Sequence, residues 1–352
     1  MLGAIRPFAN ERITKDQSRY FDAWRGGSAI AVLLGHIVPL YFDGERLFPA
    51  MAGAAVMAFF CISGFFIHKS IVSKLRADGL DWRSYGAARI NRIVPTFVFA
   101  LVITWVCWAI APYVFASGTR AFVNPTVREV ISLEGFWRTA FFLNNFLGYT
   151  VSANGPLWSL SYEVWFYFGA AALAAGLAGN RMAYAALLVI VVLIILNPLF
   201  IVWGFFWGMG GVVSILHAND KLPAVSGRFS AAVALLPAIG IVGVILAPDD
   251  LAYWATPVFQ MLFGVWFIVH MVRALTVAAL PKAPRMVAAA AYSYTLYVIH
   301  FPLTLLAYGI NESPWFAVIA GIAILGFAAL VGPRIESISI LRRRRPSPVV
   351  SS

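Results

Sequence analysis

Acidic residues, cysteine and histidine are all scarce in this 352-residue chain, which has fifteen Asp and Glu, two Cys and five His. Charged residues make up only 12% of it, against about 25% in soluble globular proteins. Fifteen acids and twenty-six Lys and Arg cannot give a folded particle of this size a polar skin. That shortage excludes a water-soluble enzyme, a disordered chain and a nucleic-acid-binding domain. The two cysteines, Cys61 and Cys107, lie inside apolar runs, so neither a disulfide framework nor a four-ligand zinc site has a basis. No metal site is expected. No internal repeat of fixed period is visible either. What is abundant is apolar surface, at 61% of residues, together with a net charge of +11. The class that accommodates both is an all-α polytopic membrane protein.

A bilayer core about 30 Å thick takes about 20 mostly apolar residues per helix. Ten stretches qualify: about 24–42, 50–68, 94–114, 156–178, 182–197, 198–217, 229–247, 252–272, 287–308 and 315–334. Asn197-Pro198 either separates two short spans or kinks one long one. Short cytoplasmic loops retain Lys and Arg. With the N-terminus inside, twenty-two of the twenty-six basic residues fall on the cytoplasmic side. Only Arg46, Arg120, Arg128 and Arg138 fall on the other, with the acidic tips Asp249-Asp250 and Glu312. Both termini are therefore expected in the cytoplasm.

The division read from this pattern is a cytoplasmic segment 1–20, a membrane domain 21–335 and a basic cytoplasmic tail 336–352. The first segment has no apolar core or cleavage site and does not read as a secretory signal. The tail reads as an anchor to anionic lipid. The one long non-cytoplasmic segment, 115–155, is aromatic-rich, with an interfacial helix expected around 127–147.

An ionisable side chain in hydrocarbon costs about 2.5–3.5 kcal/mol, so each one needs a reason. In the first span Arg25 and His36 are eleven residues apart, which puts them about 20° apart around the helix and about 16 Å apart along it. A cationic mouth suits a phosphate-bearing ligand and a deep imidazole suits proton transfer. Helix packing and positive-inside anchoring would account for the same two residues. Arg89 and Arg92 share one helix face at i, i+3, as a fork for phosphate oxygens or as topological anchors. Ser63-Gly64 permits close helix approach. Glu163 sits one and a half turns into the fourth span among aromatics and requires a partner: a histidine, an arginine, a substrate hydroxyl, the backbone or Ser161. His68 and His270 read as interfacial. His300, just before Pro302, reads as capping or as bonding a carbonyl that the proline frees.

The stretches "FDAWRGGSAIAVLLGHI", "FFCISGFFI", "AARINRIVPTF", "FFLNNF", "GPLWSLSYEVWFYF" and "SYTLYVIHFPL" resemble, in order and position, the acyltransferase family 3 membrane domain across roughly residues 18–335. Its members include bacterial O-acetyltransferases of O-antigen, exopolysaccharide and Nod factor. The family's basic-x10-His matches Arg25 and His36, its Arg-x-x-Arg matches Arg89 and Arg92, and its Ser-Gly-Phe matches Ser63, Gly64 and Phe65. Its Trp-Ser-Leu-x-x-Glu matches Trp158, Ser159, Leu160 and Glu163. The usual Leu-Asp-Gly-Leu-Arg-Gly opening is here Phe21-Asp22-Ala23-Trp24-Arg25-Gly26, with Asp22 and Arg25 kept. Some members carry a second, secreted esterase-like domain after the membrane part; this chain is expected to resemble the stand-alone form.

The resemblance implies an O-acyltransferase of the bacterial inner membrane. Its donor would be a cytoplasmic acyl-CoA, commonly acetyl-CoA, and its acceptor a hydroxyl of a surface or secreted glycan. On this reading Arg25, Arg89, Arg92 and Ser63 hold the donor. His36 acts as general base or acyl carrier, and Glu163 orients the imidazole or the sugar, with Asp22 counted in the catalytic group. Trp137, Phe141 and Phe142 would either stack on sugars or form an interfacial belt. A multi-span transporter or flippase of a glycan or lipid-linked sugar is the rival, but the inverted repeats that would favour it are not visible.

Overall fold

The structure, a computed structural model, describes residues 13–42, 46–72, 74–76, 79–115, 133–148, 152–277 and 283–341. Several basic residues of the charge pattern lie outside these: Arg6, Arg12, Arg120, Arg128, Lys282 and Arg342 to Arg345. So do residues 116–132 of the non-cytoplasmic segment and the tail beyond 341.

Thirteen helices account for nearly all of the described chain: α1 Lys15–Tyr41, α2 Leu47–Val72, α3 Trp82–Val114, α4 Leu133–Ala140, α5 Leu157–Leu177, α6 Met182–Leu196, α7 Leu199–Ala218, α8 Gly227–Val233, α9 Leu235–Leu246, α10 Asp249–Thr276, α11 Pro284–Ala289, α12 Ser293–Ile310 and α13 Pro314–Glu336. Strand structure among the described residues is one hairpin of two-residue strands, β1 Leu75–Arg76 and β2 Gly79–Leu80, between α2 and α3. Nine helical stretches are long and apolar enough to cross a membrane, with α8–α9 and α11–α12 each counted as one, among the described residues. The tenth expected span is α6, fifteen residues long. At 1.5 Å per residue it is about 22 Å, shorter than the hydrocarbon core. The chain breaks at Asn197-Pro198 rather than bending. Asn197 leaves the helical conformation and its side-chain amide donates to the Tyr162 hydroxyl at 2.8 Å and the Asn145 carbonyl at 2.7 Å.

Two helices begin well before their expected spans. α1 starts at Lys15 behind a capping box of Thr14 and Gln17, and α3 starts at Trp82 behind the Asp81 cap. With thirty-three residues, α3 is about 50 Å long. Its first turns therefore project beyond the apolar core and carry Arg89 and Arg92 as part of the helix. The expected span 287–308 is interrupted instead. A 3-10 turn at Ala290–Tyr292 separates α11 from α12, and α1 packs closely on this stretch: a Cβ on Gly26 would lie 2.0 Å from the Met286 carbonyl and 3.0 Å from the Ala290 nitrogen.

The hub of the bundle is α2, 72% of whose apolar stretch is buried, against 11% for α8–α9 at the periphery. It packs against α1, α5, α7 and α10. Its alanines and glycines make this possible, since small residues let backbones approach without hydrocarbon between them. Gly64 and Gly210 form the α2–α7 contact, where added Cβ atoms would sit 1.8 Å from the Trp207 carbonyl and 2.0 Å from the Cys61 carbonyl. Large apolar side chains such as Leu188, Ile195, Ile322 and Leu246 face outward, as a bilayer-embedded surface requires.

Candidate active site

α1, α2, α3, α5 and α12 enclose a cavity of about 340 Å³. Arg25, Ser63, Arg89, Arg92 and Glu163, from four helices, all line it, together with Tyr167, Tyr294 and Tyr297. Three guanidiniums face one carboxylate. Each guanidinium is held by an aromatic face: Arg25 lies 4.5 Å from the Phe66 centroid, Arg92 4.9 Å from Tyr294, and Arg89 between Tyr85 and Tyr167 at 5.7 and 5.5 Å. Such stacking fixes a cation while leaving its edge free to donate. Arg25 also donates to Asp22 at 3.2 Å, and Arg92 to Glu336 at 3.2 Å. The buried Nε of Arg89 meets no acceptor among the described residues.

Glu163 is tied to the cavity wall. Its Oε1 accepts from the Ser63 hydroxyl at 2.9 Å and from the Tyr167 hydroxyl, one turn further along α5. Trp207 Nε1 donates to the same serine at 3.3 Å. The Ser-Gly pair therefore has two linked purposes: Gly64 lets α7 close on α2, and that approach brings the Trp207 indole to Ser63. Ser161, an expected partner of the glutamate, bonds the Leu157 carbonyl.

His36 lies outside this lining, deeper along α1, against a second imidazole. His300 Nε2 is 3.2 Å from His36 Nδ1, with the rings 5.0 Å apart. The hydrogen-bond pattern fixes the protons of the neutral pair. His300 Nδ1 is 2.7 Å from the Tyr297 carbonyl and must donate, so its Nε2 carries a lone pair. His36 Nδ1 is 2.9 Å from the Val32 carbonyl and must likewise carry a proton, which it shares with His300. The lone pair of His36 is then on Nε2. The carbonyl that Pro302 frees, that of Val298, is taken by Asn154 Nδ2 at 2.9 Å, so His300 is left for His36. Tyr297 belongs to both places: it lines the cavity, and its ring is 6.0 Å from that of His300.

Among known families, the acyltransferase family 3 model, described as an acyltransferase domain, matches residues 18–333, nearly the whole chain. The chain belongs to that family. No curated protein and no solved structure matches it. The protein is thus a membrane acyltransferase, and its chemistry requires an acyl donor and an acceptor.

Measured against the sequence reading, the acyltransferase brings Arg25, Arg89, Arg92, Ser63 and Glu163 to one cavity. Two expectations change. Glu163 bonds Ser63 and Tyr167 rather than an imidazole, and the residue that touches His36 is His300. Asp22 lies outside the cavity lining, and its carboxylate pairs with Arg25. Phe142, with a left-handed backbone at φ 56°, packs on Phe97 at 4.7 Å, whereas Trp137 and Phe141 remain exposed and stacked on each other. The expected interfacial helix is, among the described residues, the short amphipathic α4. His270 stacks on Trp266 at 5.0 Å. No group of three metal-ligating side chains occurs among the described residues.

Sequence reasoning missed Tyr167, Tyr297 and Glu336. The i, i+4 pair Glu163–Tyr167 and the i, i+3 pair Tyr297–His300 were visible as spacings that share a helix face. Glu336 carried no such signal. Its two oxygens accept from Arg92 and from the Thr295 backbone and hydroxyl, joining the end of α13 to the start of α12 and to α3.

Proposed function

We propose that this acyltransferase moves an acetyl group from cytoplasmic acetyl-CoA to a hydroxyl of a cell-surface or secreted glycan, in the bacterial cytoplasmic membrane. The observation that carries this reading is a cavity with three guanidiniums and one carboxylate on α1, α3 and α5, and, deeper along α1, an imidazole whose free lone pair is set by the Val32 carbonyl and a second imidazole. Phosphate oxygens of the coenzyme suit the guanidinium edges of Arg25, Arg89 and Arg92. The unmatched Nε of Arg89 supplies a further donor. Asp22 and Glu336 position Arg25 and Arg92.

At the reacting centre, His36 Nε2 takes the proton of the acceptor hydroxyl as its oxygen attacks the thioester carbonyl. The tetrahedral intermediate then collapses, the C–S bond breaks, and the thiolate recovers the proton from His36. In the covalent variant His36 Nε2 itself attacks the thioester, the C–S bond breaks and coenzyme A leaves as the thiolate; the acylimidazolium, its Nδ1 proton still in place, then passes its acyl group to the acceptor hydroxyl, whose proton neutralises the thiolate. Labelled acetyl-CoA without acceptor separates the two, since only the covalent route leaves label on His36. Glu163, with Ser63 and Tyr167, forms the polar wall that orients the acceptor or the thioester.

The decisive experiment compares surface glycans by mass spectrometry in cells with and without this chain. Glycans that carry an added acetyl group only when the chain is present support the reading, and identical glycans alongside undiminished acetyl-CoA count against it.

A further inference from the structure

On another face of α1 lies a larger cavity of about 930 Å³, walled by α1, α2, α9, α10 and α11, which shares no lining residue with the first. That volume is at the upper end for ligand pockets. α1 presents a row of small residues to it: Ala23, Gly27 and Ala31 recur every four positions. The cavity is polar at one end only. Arg273 and His270 line it there, while Phe259, fourteen residues before Arg273 on α10, lines it about 21 Å further along the axis.

The polar end is the one that the basic residues assign to the cytoplasm. Trp24 and Trp266 flank His270 in an aromatic cluster, with ring centroids 5.7 and 5.0 Å away, the arrangement found at headgroup level in membrane proteins. Among the described residues, no Asp or Glu lines the cavity. Arg273 donates to the Val225 carbonyl at 2.9 Å, and no carboxylate forms an ion pair with it among the described residues.

We propose that this second cavity is a lipid site that takes an acyl chain of an anionic phospholipid from the cytoplasmic leaflet, with the phosphate against Arg273. The charge fits an anion, and the length and apolarity of the sleeve fit a long hydrocarbon chain rather than a nucleotide or a sugar.

Native mass spectrometry of the full chain in mild detergent tests this, with phosphatidylglycerol and phosphatidylcholine of matched chains as probes. Wild type should retain one phosphatidylglycerol in preference to phosphatidylcholine. Arg273→Gln should lower that retention about fivefold, the effect of one basic residue near an anionic headgroup, and Arg273→Lys should keep it. Ala31→Phe should exclude both lipids, with Ala54→Leu as the second filling variant if the first aggregates. Equal binding of the two lipids by wild type, or unchanged phosphatidylglycerol binding in Arg273→Gln, would overturn the proposal. Displacement of the lipid by long-chain acyl-CoA would overturn it too, by assigning the sleeve to the donor. The readout does not depend on turnover, so it stands or falls apart from the proposed acetyl transfer.

Discussion

At the scale of single residues, the two basic motifs behave differently. The fork of Arg89 and Arg92 was legible from spacing, because two guanidiniums three apart on a helix must share a face. The imidazole pair was not legible: His36 and His300 are 264 positions apart, and only the packing of α12 on α1 brings them together. Arg89→Gln removes a charge-assisted contact worth about 1.5–3 kcal/mol, so the apparent KM for acyl-CoA should rise about tenfold or more while acceptor KM stays put. Steady-state kinetics with both substrates varied checks this. His300→Ala removes one of the two acceptors of the His36 proton, leaving the Val32 carbonyl; the lost bond is worth about 0.5–1.5 kcal/mol and should lower kcat by up to about tenfold with donor KM unchanged. In His300→Gln, whose amide oxygen can accept the same bond, part of kcat should return. A purely packing role for His300 predicts no such recovery.

At the scale of elements, nine of ten expected spans meet, among the described residues, the length a membrane requires, and the tenth, α6, falls short. Apolar length is a one-dimensional property and survives in the sequence. Partner choice does not: Gly64 marked a close contact, but nothing in the chain said that α7 would fill it. The break before α12 was equally hidden, since neither proline nor glycine stands at Ala290–Tyr292 to mark it. Two glycines of α7 test this contact logic with opposite signs. Gly210→Ala places a methyl 2.0 Å from the Cys61 carbonyl and should destabilise the bundle by about 1–3 kcal/mol. Gly208→Ala meets nothing within 4 Å among the described residues and should gain about 0.5–1 kcal/mol from helix propensity. Thermal unfolding of both variants in one detergent compares them directly, and equal shifts would refute the assigned contact.

At the scale of the whole molecule, the excess of positive charge orients the chain, and two pairings across the bundle agree with the resulting sides. Arg46 donates to Asp249 and to the Ala247 carbonyl, joining two loops expected outside. Asn91 exchanges two hydrogen bonds with Leu341, both 2.8 Å, which joins the start of α3 to the segment after α13 on the side expected inside. Single cysteines at Glu312 and Ser337, in a chain with Cys61 and Cys107 replaced, should differ in intact cells: an impermeant thiol reagent labels the first and spares the second. Equal labelling would reverse or break the topology.

The central claim is that His36, held by Val32 and His300 deeper along α1 than the arginine-lined cavity, performs the acyl transfer. The most direct measurement is turnover of labelled acetyl-CoA by reconstituted wild type and His36→Ala, with a matched size-exclusion profile for the two. Loss of the catalytic base should cost about 10²–10⁴-fold in kcat, with coenzyme binding retained through the arginines. Turnover of His36→Ala at the wild-type rate would contradict the account.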